Sequence, residues 1–129
     1  MTDTVADMIT RIRNGNLISK TDILVPYSKM KEEILKVLKN AGFIRNYEIT
    51  ADGKKLLKVE MLYYADDRKA ITEIRKISKP GSRIYVGKDE IPSIKSGKGI
   101  AILSTPRGIL DDKKAREIGV GGELLFYVW

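Results

Sequence analysis

The chain has 129 residues, with 24 Lys and Arg against 17 Asp and Glu, a formal charge of +7, and neither His nor Cys. Its 43% hydrophobic and 32% charged residues describe a globular chain of one compact domain or two very small ones. The missing His and Cys exclude disulfides, thiolate chemistry, Cys- or His-based metal centres and any Ser–His–Asp triad, while the positive surplus favours a polyanionic partner, either nucleic acid or an anionic membrane surface.

The opening residues lack the basic start and apolar stretch of a signal peptide. The longest apolar run, residues 124–129, is six residues, far below the ~20 of a membrane span. A cytoplasmic protein with no membrane partner is expected. Asp3 or Thr4 caps a first helix, whose buried face carries Val5, Met8, Ile9 and Ile12 at helical spacing. Asp7 and Arg11 pair on its outer face, and Gly15 weakens it near its end. Residues 22–27, DILVPY, predict a short strand stopped by Pro26. Ser28 caps a second helix with Met30, Ile34, Val37, Leu38 and Ala41 inside. Lys29, Lys31, Lys36 and Lys39 lie mostly outside, with Glu32 and Glu33 for balance, and Gly42 ends the helix. Residues 43–50 and 55–62 form two strands around the Asp52-Gly53 turn. Residues 63–69 break the pattern and predict a domain boundary or linker.

Beyond it, residues 70–78 are β-branched and basic, Pro80-Gly81 turns the chain, and residues 83–86 form a short strand. Residues 88–98 are polar, with one helical turn near 91–95. Residues 99–104 form a buried strand. Asp111 or Asp112 caps a short helix ending near Ile118, and residues 123–129 form an internal strand. The expected class is α+β, in two small α+β domains that share an interface. Residues 1–64 run α-β-α-β-β, and residues 65–129 are mostly β with one short helix.

The charge is uneven. Residues 1–67 carry 11 basic and 10 acidic groups, and residues 68–129 carry 13 and 7. Arg75, Lys76, Lys79, Arg83 and Lys88 follow one another with no acidic residue between positions 74 and 88. Such a run neutralises phosphates, or it is a solvated strand face that guards a sheet edge. Tyr85 within it stacks on an exposed base or is a half-buried strand aromatic. Ser104-Thr105-Pro106-Arg107-Gly108 places two hydroxyls and a cation at a strand end, suited to phosphates, 2′-hydroxyls and base edges, or simply makes a polar turn. Gly119-Val120-Gly121-Gly122-Glu123 fails as a dinucleotide fingerprint, because Leu124 stands where the third Gly is needed. It reads better as bare backbone open to close approach, with Glu123 accepting from a base amino group or 2′-hydroxyl; the plainer reading is a helix C-cap and a tight turn. Ser96-Gly97-Lys98-Gly99 fails as a phosphate loop, since Pro92 takes the first Gly position and Gly99 the hydroxyl position. Nothing orders Asp66-Asp67 or Asp111-Asp112 into a catalytic pair; the latter stabilises a helix N-terminus. Arg11 and Arg13 point roughly 200° apart and form no patch. No helix-turn-helix, zinc finger or basic helix is visible, which favours RNA over DNA.

Five blocks then carry a resemblance. They are DMITRIRNGN (7–16), PYSKMKEEILKVLKNAGFI (26–44), RKISKPG (75–81), RIYVGKDEIP (83–92) and the closing run from GKGIAILSTPRG to the end (97–129). Together they resemble the bacterial small-subunit ribosomal protein eight family from end to end. The resemblance implies a two-domain α+β fold and no enzymatic activity. It implies a primary RNA-binding protein on the central domain of small-subunit ribosomal RNA, which promotes assembly beside neighbouring small-subunit ribosomal proteins. It places the main RNA contacts at Tyr85, Ser104, Thr105, Gly121, Gly122 and Glu123, with further contacts near Lys29 and Lys31. Lys79, Arg83, Lys88 and Arg107 join them as phosphate contacts on charge. Some members also bind their own messenger RNA to repress translation. One departure stands out: the family segment often reads Ser-Thr-Ser, and Pro106 here removes the third hydroxyl and an N–H. The rival readings are a carboxylate- or Lys-based nuclease, a non-specific nucleic-acid-coating protein and a purely structural interaction module.

Overall fold

A computed structural model of the chain describes residues 4–66 and 68–129. The cap at Asp3 and the Asp67 half of the Asp66-Asp67 pair lie outside the described residues. The chain divides into two compact units, Thr4–Thr72 and Glu73–Trp129.

In the first unit, α1 (Thr4–Leu17), β1 (Asp22–Pro26), α2 (Lys29–Asn40), β2 (Ile44–Asp52) and β3 (Lys54–Met61) follow the expected α-β-α-β-β order. The strands form an antiparallel sheet, β1-β3-β2. Val5, Met8, Ile9 and Ile12 of α1 are buried, as their spacing requires. At Gly15 a Cβ would sit 2.7 Å from Ile23 Cγ2, so glycine is what lets β1 cross the end of α1. Ser28 Oγ accepts the Lys31 N–H at 3.1 Å and starts α2. Gly53, at φ +84, closes the β2–β3 hairpin.

The buried stripe of α2 is Lys31, Ile34, Leu35 and Leu38. Met30 is only half-buried and Ala41 is exposed, so the inner face is turned from the expected one. Lys31, at the first position of that stripe, is 2% exposed rather than on the outer face. Its four-carbon stem packs as an apolar side chain. Residues 63–69 are not a free linker either. Tyr63 Oη donates to Lys20 O at 2.7 Å, and Lys69 Nζ donates to Asn16 O at 2.5 Å and Leu17 O at 3.2 Å, capping the C-terminal carbonyls of α1.

The second unit holds β4 (Ile74–Lys76), β5 (Tyr85–Val86), β6 (Ile100–Thr105), β7 (Gly108–Asp111), α3 (Asp112–Ile118) and β8 (Gly122–Val128), with a short 3-10 turn at Lys95–Gly97. The sheet runs β4-β8-β6-β7, and β5 also pairs with β8. β8 is thus internal, as its apolar sequence demands. The strand expected at 83–86 shrinks to two residues and the β-branched stretch 70–78 supplies a strand of three, because the chain leaves the sheet between them through a turn closed by Lys79 and Ser82. β7 was not expected; it returns directly from β6 around Pro106 and Arg107. The helical turn lies at Lys95–Gly97 rather than 91–95. Asp111 caps α3 by accepting the Lys114 N–H at 2.7 Å. Asp112, the alternative cap, is fully buried instead and ties α3 to β6, accepting the Ala101 N–H at 2.9 Å and an Arg116 N–H at 2.7 Å. Ala101, Leu103, Ala115 and Leu124 form the core between the sheet and α3.

Candidate nucleic-acid interface

Strand register decides which expected residues meet. Tyr85 on β5 lies opposite Glu123 on β8, and Glu123 lies opposite Ser104 on β6. Residues directly opposite share a face, and neighbouring strands are ~4.8 Å apart. Tyr85, Glu123 and Ser104 therefore form one line about 10 Å long across three strands. Their chain neighbours Val86, Leu124 and Leu103 belong to the core that packs on Ala115. Alternation puts the line on the opposite face, away from α3.

Each member of the line has a distinct chemical state. Tyr85 is 69% exposed, leaving its ring available for stacking. Among the described residues none bonds the Ser104 hydroxyl, which is half-buried beside Glu123. Glu123 is not a free acceptor: Arg83 Nη1 donates to its Oε2 at 3.2 Å, and its side chain is only 17% exposed. Two expected RNA contacts are thus bonded to each other. The pair holds the carboxylate in place and cancels charge at the centre of the line.

Thr105 behaves differently from Ser104. Its Oγ1 donates to Gly108 O at 2.8 Å and accepts the Arg107 N–H at 3.0 Å. Strand alternation also turns it to the other face. Its hydroxyl shapes the β6–β7 turn. That turn explains Pro106, which takes the second turn position, where proline is favoured; Gly108 takes the fourth at φ +103, and Arg107 stays out of the left-handed region. Arg107 is left exposed at the tip.

Gly121 and Gly122 are bare for an internal reason. A Cβ on Gly121 would collide with the Val86 carbonyl oxygen, and one on Gly122 with the Ser104 carbonyl oxygen. The backbones that approach closely are β5 and β6 themselves. The glycine pair seats β8 between them and so aligns Tyr85, Glu123 and Ser104.

The basic run does not form one strand face. Arg75 and Lys76 pair with Tyr127 and Phe126, four and three residues along β8 from Glu123, which places Arg75 about 13 Å from the line. Arg75 also bonds Glu73 at 3.3 Å and lies over the Trp129 ring. Lys79 is exposed in the Lys79–Ser82 turn. Lys88 is exposed beside Asp89 and Glu90, and Glu90 accepts the Gly87 N–H. In the first unit Lys29 is exposed at the start of α2. Burial rules out Lys31 as a surface contact and lowers its pKa; the charge of Asp7 opposes that shift and Arg11 adds to it.

The family model described as Ribosomal protein S8 matches residues 3–129. The chain belongs to the ribosomal protein S8 family. The small ribosomal subunit protein uS8 of Geobacter metallireducens is 52% identical over all of this chain and 98% of that protein. The uS8 proteins of Geobacillus kaustophilus and Thermosipho africanus are each 50% identical, over 100% and 98% of this chain respectively and 98% of each relative. As a member of this family, the chain is a structural, RNA-binding constituent of the small ribosomal subunit in the cytoplasm, and not an enzyme.

Sequence reasoning named Arg83 and Glu123 separately and missed that they pair. The signal would have been the register of β5 on β8, which no local pattern prints. It also missed the turn bonds of Thr105 and which two strands approach Gly121 and Gly122.

Proposed function

We propose that the chain binds the central domain of small-subunit ribosomal RNA with the Tyr85–Glu123–Ser104 line, at a place where the RNA helix is irregular. The observation that carries this reading is the alignment of a stacking ring, a held carboxylate and an unbonded hydroxyl on one sheet face. Regular A-form RNA hides its major-groove base edges in a deep groove and covers its base faces by stacking, so the ring of Tyr85 finds a partner only where bases are unpaired or bulged. Tyr85 stacks on such a base. Ser104 bonds a 2′-hydroxyl or base edge. Glu123, fixed by Arg83, accepts from an amino group or a 2′-hydroxyl and repels a phosphate placed in the same spot, which selects orientation. Lys79, Arg107, Lys88 and, on the first unit, Lys29 neutralise phosphates without reading sequence. A messenger RNA that folds into the same local shape engages the same line, which is how repression of its own messenger would operate.

The test is a titration against a central-domain RNA fragment and a length-matched scrambled hairpin at two salt concentrations. A preference of ~10³-fold or more that persists at the higher salt supports specific recognition. Equal binding that collapses together as salt rises supports a non-specific polycation and overturns the reading.

A further inference from the structure

We propose that Ser78 is a positioning residue for RNA binding, whose buried hydroxyl fixes the strand that presents Tyr85. The inference rests on the reading of the Tyr85–Glu123–Ser104 line as the RNA-binding site. Ser78 is 3% exposed, so its side chain is itself out of reach of RNA. It acts through what it holds.

β5 needs holding. It is two residues long, Tyr85 and Val86, and its ladder is to β8. Tyr85 is largely exposed, so its ring gains little from packing. Short segments with few buried contacts open locally at low free energy. A ring carried on an opened strand must be ordered before it can stack, and that ordering lowers affinity.

Ser78 supplies a missing rung. The ladder continues one residue beyond β5, where the Leu124 N–H donates to Ile84 O at 2.9 Å. In a regular antiparallel pair the Ile84 N–H would return to the Leu124 carbonyl. Here it donates to Ser78 Oγ at 3.0 Å, and the same hydroxyl donates to Ile84 O at 3.4 Å. One side chain thus stands in for a backbone group. The shape of β8 explains why. Its register on β6 jumps from Phe126 to Leu124, which makes Leu125 the extra residue of a bulge. The Leu125 carbonyl accepts the N–H groups of Ile77 and Ser78 at 3.0 and 3.4 Å. The bulge seats Ser78, and Ser78 closes the gap to Ile84.

Both hydroxyl bonds end on the residue between Arg83 and Tyr85. At the other end of β5, Glu90 Oε1 accepts the Gly87 N–H at 3.0 Å, and the Glu90 N–H donates to Gly87 O at 2.9 Å. The strand is therefore held by a side chain at each end. The plainer reading is that Ser78 only closes the loop over residues 79–83. That loop is already closed by backbone, since the N–H of Lys79 and of Ser82 each donate to the other's carbonyl, at 3.1 and 2.9 Å. What the hydroxyl adds falls on Ile84, and so on Tyr85.

The experiment is a double-mutant cycle of Ser78→Ala and Tyr85→Ala in the full chain. It reads affinity for a central-domain RNA fragment at fixed salt, at a temperature where thermal unfolding shows every variant folded. Ser78→Ala is expected to weaken binding about fivefold, the effect of one hydrogen bond. It should also speed amide exchange at Val86, which the hydroxyl does not touch. In the Tyr85→Ala background the same substitution should change affinity by less than about twofold, because the ring it positions is gone. Equal losses in both backgrounds would mean a merely structural serine and overturn the proposal. Ser78→Cys keeps the outline of the side chain with a weak donor and acceptor; it should lose affinity in the same sense, and it carries the cycle if the alanine variant does not fold. Parent affinity in the Ser78 variant beside a weakened Tyr85→Ala would overturn this inference alone. Parent affinity in Tyr85→Ala would overturn it together with the reading of the line.

Discussion

Ser104 and Thr105 are adjacent, similar in chemistry and opposite in consequence. Ser104 Oγ has no partner among the described residues, so Ser104→Ala removes no bond within the protein. It should leave thermal and urea unfolding within ~0.5 kcal/mol of the parent. In the RNA complex it deletes one hydrogen bond to a neutral group, ~0.5–1.5 kcal/mol, or a two- to twelvefold loss of affinity. Thr105→Val keeps the shape but loses both bonds of the turn, to Gly108 O and from the Arg107 N–H. On a solvated turn that costs about 1 kcal/mol and lowers the Tm by about 3–5 °C, while the affinity for central-domain RNA stays within twofold. The assay pairs urea unfolding with RNA titration for both variants at fixed salt. If Thr105→Val loses affinity as much as Ser104→Ala while keeping its stability, both hydroxyls face RNA and the alternation argument is wrong.

Gly122→Ala forces a methyl against the Ser104 carbonyl, where backbone rather than a flexible side chain must yield. It should destabilise the protein by ~1–3 kcal/mol and weaken RNA binding beyond the Ser104→Ala loss; unfolding and titration together check this. Arg83→Ala, Glu123→Ala and their double variant should show a coupling of ~0.2–1 kcal/mol in unfolding, since the pair is partly solvated; strict additivity would mean the contact is idle. Lys79→Ala should weaken binding to specific and scrambled RNA alike and reduce the salt slope by roughly one unit, read from affinities at several salt concentrations. Lys31, whose folded pKa lies below 10.5 through burial, binds fewer protons folded than unfolded in the interval below 10.5. Stability therefore rises with pH through that window as the buried group becomes neutral. Lys31→Met should be more stable than the parent at neutral pH, and the advantage should shrink as pH rises toward 10.5. Taking the difference cancels the opposite alkaline effect of Tyr63, whose pKa burial raises.

The fold was legible where local rules act. The Ser28 cap, the Asp52-Gly53 turn and the apolar spacing of α1 each carry their own signal. The stripe of α2 was misplaced because a lysine at its first position reads as solvent-facing, yet a long stem can be buried among Ile34, Leu35 and Leu38. β7 escaped because Gly108–Asp111 is four residues bracketed by a glycine and a cap; only its pairing with β6 makes it a strand. The site was legible in its members and not in its arrangement. Tyr85, Ser104 and Glu123 stand far apart in sequence, and nothing local reveals that β8 joins them. The Gly121-Gly122 pair suggested close approach correctly, but which backbone approaches is a question of topology. The seat of Ser78 on the Leu125 carbonyl depends on the bulge of β8, so no sequence pattern could mark it.

The most direct test of the central claim is photo-crosslinking from the line itself. A benzoylphenylalanine in place of Tyr85, and separately in place of the sheet residue Tyr47 of the first unit, is irradiated with central-domain RNA and with a scrambled hairpin. The account predicts crosslinks from position 85 to unpaired nucleotides of the central-domain RNA, absent from the scrambled hairpin and weaker from position 47. Crosslinks from position 85 spread evenly over both RNAs, or confined to position 47, would contradict it.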